Sequence, residues 1–171
     1  MEAIVYTSNT GHAKGFAHLL SKEIGIPCYS LEDAKVNLNR GVDIIYIGWI
    51  MAGQVKNLSK AMKLFNVKMV CAVGMGINDN QLSFIREKYA FQTDFPLFYL
   101  QGGFEYDKLH GLYKLFISVI KKSMEKQIEK REFTDEGNEL LDLVLNGRSF
   151  VCKEKLTSVI EYIKEGAIWK K

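Results

Sequence analysis

AIVYTSNTGHAKGFAHLLSKEIG, residues 3–25, is the stretch from which the fold can be read. Ala3–Thr7 is a short apolar run. Ser8-Asn9-Thr10-Gly11-His12-Ala13 is a polar turn containing a glycine. Phe16, Ala17, Leu20 and Ile24 then recur at helical spacing. The order is strand, tight loop, helix. Gly25 suits the end of that helix, and Pro27 stands where a new extended segment starts.

The same unit repeats down the chain. Ile26–Tyr29 predicts a short second strand, and LEDAKVNLNRG (31–41) at most a short helix or an irregular loop. Val42–Gly48, VDIIYIG, is almost continuously apolar. Strands covered on both faces read this way, which argues for a parallel sheet. WIMAGQ (49–54) predicts a loop, and Val55, Leu58, Met62 and Phe65 mark the next helix. Val67–Val73 is a strand, 74–80 a glycine-rich loop, and Leu82, Ile85 and Tyr89 share one helical face. Pro96–Leu100 is the fifth strand. Five strands separated by helical stretches predict a doubly wound α/β sheet with right-handed connections.

Beyond the fifth strand, QGGFEYDK (101–108) is turn-like. Leu109, Leu112, Tyr113, Phe116, Ile120 and Met124 describe a long helix, also apolar off that side through Leu115 and Val119. Leu140, Leu141 and Val144 suggest a short helix ended by Gly147. Leu156, Val159, Ile160 and Ile163 form a last amphipathic helix closed by Gly166. There is no solenoid repeat and no flexible linker. The expectation is one domain over 1–171, with an insertion at approximately 104–150.

Composition narrows the classes. Of the 171 residues, 47% are hydrophobic and 25% charged, which is the balance of a folded chain and not of a disordered one. No apolar run reaches the roughly 18 residues of a membrane span. Residues 1–7 read as a strand and not as a basic, then apolar, leader, so a cytoplasmic protein is expected. Cys28, Cys71 and Cys152 form no CxxC pair and have no histidine cluster near them in sequence. That argues against a structural metal and for small inert hydrophobes in a reducing compartment. The net charge is only +3, and no basic stripe is interleaved with aromatics, so nucleic acid is not an expected partner.

The turn at 8–13 carries the chemistry. A phosphate there would meet unpaired backbone N–H groups and the positive end of the helix. Ser8 and Thr10 add hydroxyls, and Gly11 permits a turn without a Cβ clash. Taken alone, the same residues read as ordinary helix capping. The segment is neither a Walker A loop nor a GxGxxG fingerprint, which argues against a nucleoside triphosphatase.

YTSNTGHAKGFAHLL (6–20) resembles the opening of a flavodoxin-domain protein, whose loop follows Ser/Thr-x-Thr-Gly-x-Thr. Ser8, Thr10 and Gly11 match, while Ala13 replaces the final hydroxyl residue. The resemblance is strongest over residues 1–103. Within the family the sequence looks closest to the branch containing oxygen-independent, menaquinone-dependent protoporphyrinogen oxidase. YLQGGFEYDKLHGLYKLFI (99–117) resembles the start of that branch's extra segment. The resemblance implies a flavodoxin-like three-layer sandwich, with a five-stranded parallel sheet and a helical insertion after strand five. It also implies FMN as cofactor.

That order of strands would gather the loops 8–13, 48–54 and 74–80 at the carboxyl ends, with 101–106 approaching the edge. The implied FMN contacts are Ser8, Asn9, Thr10, Gly11, His12 (through its backbone amide) and Ala13. Trp49, Ile50, Met51 and Ala52 are candidates against the flavin ring, although Trp49 reads equally well as a cover for the sheet edge. Gly74, Met75 and Gly76 would bring backbone groups to the pyrimidine edge, supplemented by Asn78; Asp79 reads as a helix cap. Gln101 and Gly102 would shape the isoalloxazine or substrate side, or simply turn into the insertion. Tyr106 and His110 lie near this rim, His110 reading as a surface or core-edge residue. His18 faces away from the apolar stripe and is expected to be exposed.

No catalytic acid–base pair, nucleophile triad or metal-ligand set emerges from spacing. A flavin protein needs none, because the cofactor carries the redox chemistry. Three readings follow. The first is an FMN-binding redox protein, either an electron carrier or a small flavin-dependent oxidoreductase, with a redox partner protein or small redox substrate. The second is a protoporphyrinogen oxidase-like enzyme. The third is a flavodoxin-fold binding or regulatory module without FMN. The apolar excess of Leu109–Val119 packs within the molecule or offers a membrane-surface or quinone contact beside Lys114, Lys121 and Lys122.

Overall fold

The structure is a computed structural model and describes residues 1–76, 81–89, 95–105, 108, 118, 142–143 and 146–166, with backbone only at 81, 84 and 88. Its strands are β1 (Ala3–Thr7), β2 (Cys28–Ser30), β3 (Asp43–Met51), β4 (Gln54–Val55), β5 (Asn66–Gly74), β6 (Leu97–Gln101), β7 (Gly103–Phe104) and β8 (Arg148–Ser149). The helices are α1 (His12–Ile24), α2 (Leu31–Asn37), α3 (Leu58–Leu64), α4 (Gln81–Tyr89) and α5 (Thr157–Lys164), the last entered through a 3₁₀ turn at Glu154–Leu156.

The main sheet runs β2-β1-β3-β5-β6, with every neighbouring pair in that path parallel. Helices cover both faces, giving a flavodoxin-like three-layer sandwich. Alternation along the strands divides the core in two. Ala3, Val5, Ile44, Tyr46, Val70 and Ala72 pack toward α2, α3 and α4. Ile4, Ile45, Ile47, Met69, Cys71 and Leu100 pack toward α1 and α5. Each fully buried aliphatic or aromatic side chain contributes about 1.5–3 kcal/mol. An exposed ion pair such as Lys60–Glu32 contributes about 0–1 kcal/mol, so apolar burial holds the layers together.

Local chemistry sets the element ends. Gly25 terminates α1 at φ 72°, in the left-handed region, with its N–H on the Ser21 carbonyl at 2.9 Å. Ser30 caps α2: its Oγ accepts from the Asp33 N–H at 3.1 Å and donates to Asp33 Oδ2 at 2.6 Å. Leu82, Ile85 and Tyr89 are buried together on α4, and Leu156, Val159, Ile160 and Ile163 are buried at and before α5, as their spacing predicts.

The expected loop at 49–54 is corrected. β3 continues through Trp49, Ile50 and Met51, turns at Ala52-Gly53, and returns as β4, pairing Ile50 with Val55 and Met51 with Gln54. Ala52 and Gly53 both have positive φ, 48° and 68°, which matches the twist of a two-residue hairpin. The main sheet is therefore six-stranded, with β4 an antiparallel addition to the five predicted strands. Val55 belongs to β4, and Phe65 caps α3 from outside it.

β7 and β8 pair antiparallel, Gly103 opposite Ser149 and Phe104 opposite Arg148. Gly147, at φ 68°, places its N–H on the Leu143 carbonyl at 3.0 Å. Leu109, Leu112, Tyr113, Phe116, Ile120, Met124, Leu140, Leu141 and Val144 lie outside the described residues, as do Asn78, Asp79, Tyr106 and His110. Among the described residues, no helix is long and apolar enough to cross a membrane.

Candidate functional site at the end of the first strand

β1 connects outward to β2 on one side and β3 connects onward to β5 on the other, so the chain's direction across the sheet reverses between β1 and β3. A crevice at the carboxyl ends is expected at such a switch. Thr7, the last residue of β1, is paired with Gly48 of β3. Its hydroxyl lies 2.8 Å from the Tyr46 phenol, which in turn donates to the Lys56 carbonyl at 2.7 Å. With the phenol proton so used, Thr7 is the donor of the first bond. Burial pushes the Tyr46 phenol well above its ordinary value, which keeps it a donor.

The turn that follows is closed by Ser8, whose Oγ accepts from the Gly11 N–H at 3.1 Å. Gly11 is the N-cap of α1 at φ 96°, and no side chain caps the helix. The first intrahelical bond runs from the Gly15 N–H to the Gly11 carbonyl at 2.8 Å. The amides of His12, Ala13 and Lys14 therefore have no carbonyl within the helix to bind. They carry the positive end of the helix dipole. In the same turn the Asn9 Nδ2 is buried without a hydrogen-bond partner among the described residues. A buried donor without an acceptor is costly in a finished structure, and an anion would satisfy it.

His12 does more than its backbone amide predicts. Its side chain is 7% exposed. Nδ1 is 2.8 Å from Thr10 Oγ1, and Nε2 is 3.0 Å from Glu105 Oε2. The carboxylate contact is at ion-pair distance but off the line of the ring N–H, so Nε2 makes no directed hydrogen bond. With the ring proton on Nε2, Nδ1 accepts from the Thr10 hydroxyl. Burial lowers the pKa of His12, and Glu105 offsets this only in part. Lys108, 2.7 Å from Glu105 Oε1, holds that carboxyl below its usual range, with a smaller contribution from His12. No local pattern in the sequence links His12 to Glu105; only the packing of the chain after β6, at Gly102, against His12 does so.

The remaining candidates divide. Gly102 is buried against this turn: a Cβ there would fall 2.5 Å from Val73 Cγ1 and 3.0 Å from His12 Cβ. Gln101 is half-buried, its Oε1 accepting from Lys155 Nζ at 3.1 Å. Trp49 follows Gly48 and pairs with Val73, and strand alternation puts it on the α1 face with Ile45 and Ile47. Ile50 packs instead with the cluster on the opposite face. Met51 and Ala52 line a hollow of about 550 Å³ toward α3 and Tyr89, which includes no residue of the 8–13 turn. Gly74 leaves room for Tyr99, whose hydroxyl would be 2.5 Å from a Cβ at that position. Tyr99 donates to the Gly76 carbonyl at 2.7 Å, so that acceptor is already used within the protein. Met75 is exposed.

The structure thus brings together Ser8 through Ala13, Gly102 and Glu105. Among the described residues no group of three histidine, cysteine or acidic side chains could hold a metal ion. No family model matches the chain, and neither a curated protein nor a solved structure does.

Proposed function

We propose that the protein is an FMN-binding redox protein, either an electron carrier or a small flavin-dependent oxidoreductase. The reading is carried by the uncapped start of α1 beside the orphaned Asn9 Nδ2, at the β1/β3 switch of a flavodoxin-ordered sheet. The phosphate of FMN fits that donor set. The amides of His12, Ala13 and Lys14 and the Asn9 side chain would bind it, and the Ser8 hydroxyl retains a proton to donate. Trp49 supplies a flat apolar partner on the same face, and offset stacking contributes about 0.5–1.5 kcal/mol beyond burial. When bound, the flavin supplies electron or hydride transfer. The chain binds and orients it, with a redox protein or small redox substrate as partner.

A second reading rests on a specific observation. The Thr10 hydroxyl is engaged by His12, Ala13 offers none, and the Glu105 carboxylate adjoins the turn. Those features favour a flavodoxin-fold binding or regulatory module without FMN. Titration of the purified protein with FMN separates the two readings. Quenching of flavin fluorescence to a one-to-one endpoint supports the redox protein, and no change at saturating FMN overturns it. Oxidation of protoporphyrinogen with a quinone acceptor would then distinguish an oxidase-like enzyme from a carrier.

A further inference from the structure

Cys28 opens the edge strand β2, opposite Ile4 of β1, and lies on the α1 side of the sheet. On α1, His18 places Nδ1 3.6 Å from the Cys28 sulfur, a contact open to solvent. His18 is exposed and the thiol half-buried, so a reagent can approach from outside. The Tyr6 ring lies 6.0 Å from the imidazole. Its phenol is held above the ordinary value by burial, then by Cys28 and Asp33.

The other two thiols have different surroundings. Cys71 is fully buried, and burial pushes it up to about 12. It has neither access nor a thiolate at neutral pH. Cys152 is half-buried, and the nearby Glu154 carboxyl is held below its ordinary range by its own backbone and then by that thiol. Such a carboxylate is a far weaker base than an imidazole and cannot keep the proton near neutrality. Cys28 is the thiol with both a route to solvent and a base within reach.

We propose that Cys28 is a modification site, at which His18 takes the thiol proton and the sulfur forms a reversible mixed disulfide with a small-molecule disulfide. The thiolate attacks one sulfur of the disulfide. A new S–S bond forms, the old one breaks, and the departing thiolate takes the proton from His18. Cys28 is oxidised and half of the reagent is reduced to a thiol, so no further oxidant is needed. Excess thiol reverses the step.

The full-length protein is incubated with oxidised glutathione, and modification of each cysteine is timed by peptide mass spectrometry across a pH series. Cys28 reacts about tenfold faster than Cys152, and Cys71 does not react. His18→Gln, a change at an exposed position, slows Cys28 about tenfold near neutrality, alters the shape of its pH–rate profile, and leaves Cys152 unchanged. Faster reaction at Cys152, or an unaltered Cys28 rate and pH profile in a folded His18→Gln protein, overturns the assignment.

Discussion

His12 Nε2 lies 3.0 Å from Glu105 Oε2, joining the turn after β1 to the chain that leaves β7. Burial lowers the His12 pKa from its ordinary 6.5, so on acidification the unfolded chain takes this proton before the folded one does. The stabilisation from a neutral His12 is therefore complete above 6.5 and is lost as pH falls toward the folded value. Glu105 is also lowered, from 4.5, so its contribution erodes in a separate and more acidic window. The expected result is a melting temperature that declines as pH falls below 6.5. His12→Gln flattens that part of the curve. Equal slopes in the two proteins would show that His12 is not the group responsible.

Tyr46 supports the same end of the sheet from its opposite face. Its hydroxyl accepts from Thr7 at 2.8 Å and donates to the Lys56 carbonyl at 2.7 Å, tying the β3–β4 hairpin to the end of β1. Tyr46→Phe keeps the ring in the core and leaves both partners without it. Unsatisfied buried groups cost about 1–3 kcal/mol, and urea denaturation should show a loss of that size with an unchanged slope. A midpoint equal to that of the parent protein would mean that water replaces both bonds.

The layers were legible because burial follows period. Val42–Gly48 reads as a strand covered on both faces, and Ile44 through Ile47 are fully buried. Phe16, Ala17 and Leu20 recur at helical spacing and are fully buried on α1. The hairpin was missed because Trp49-Ile50-Met51 reads both as a continued strand and as an apolar loop. The deciding signal was the Ala52-Gly53 pair, which suits the two positive φ angles of a tight hairpin turn. At the candidate site, the turn at 8–13 was visible because its residues are contiguous. Glu105 beside His12, and His18 beside Cys28, were not visible: each contact joins different elements and is set by tertiary packing.

Gly103 and Gly25 both have positive φ but differ in surroundings. At Gly25, φ 72°, a Cβ would meet nothing within 4 Å; at Gly103, φ 98°, it would lie 2.0 Å from the Arg148 carbonyl oxygen. Gly25→Ala should cost only the left-handed strain, about 1–2 kcal/mol. Gly103→Ala must also part β7 from β8, and a loss above about 3 kcal/mol is expected. Hydrogen exchange gives the local readout. The Phe150 amide, bonded to the Gly102 carbonyl at 3.1 Å, should lose protection in Gly103→Ala and keep it in Gly25→Ala. Comparable melting temperatures for the two variants would contradict the close approach at Gly103.

Asn9 tests the anion site without altering the backbone. Its Nδ2 is a buried donor with no partner among the described residues, in the turn that leads into the uncapped start of α1. Asn9→Asp is nearly isosteric, removes that donor and adds negative charge where a phosphate would sit. FMN affinity should fall at least about tenfold, equivalent to about 1.4 kcal/mol. Riboflavin has the same ring and no phosphate, so its weaker binding should be unaffected by the substitution. If both flavins lose affinity in parallel, Asn9 acts on the ring or on the fold; if neither does, the phosphate does not occupy this turn. Only a selective loss for FMN assigns the orphaned amide to the phosphate.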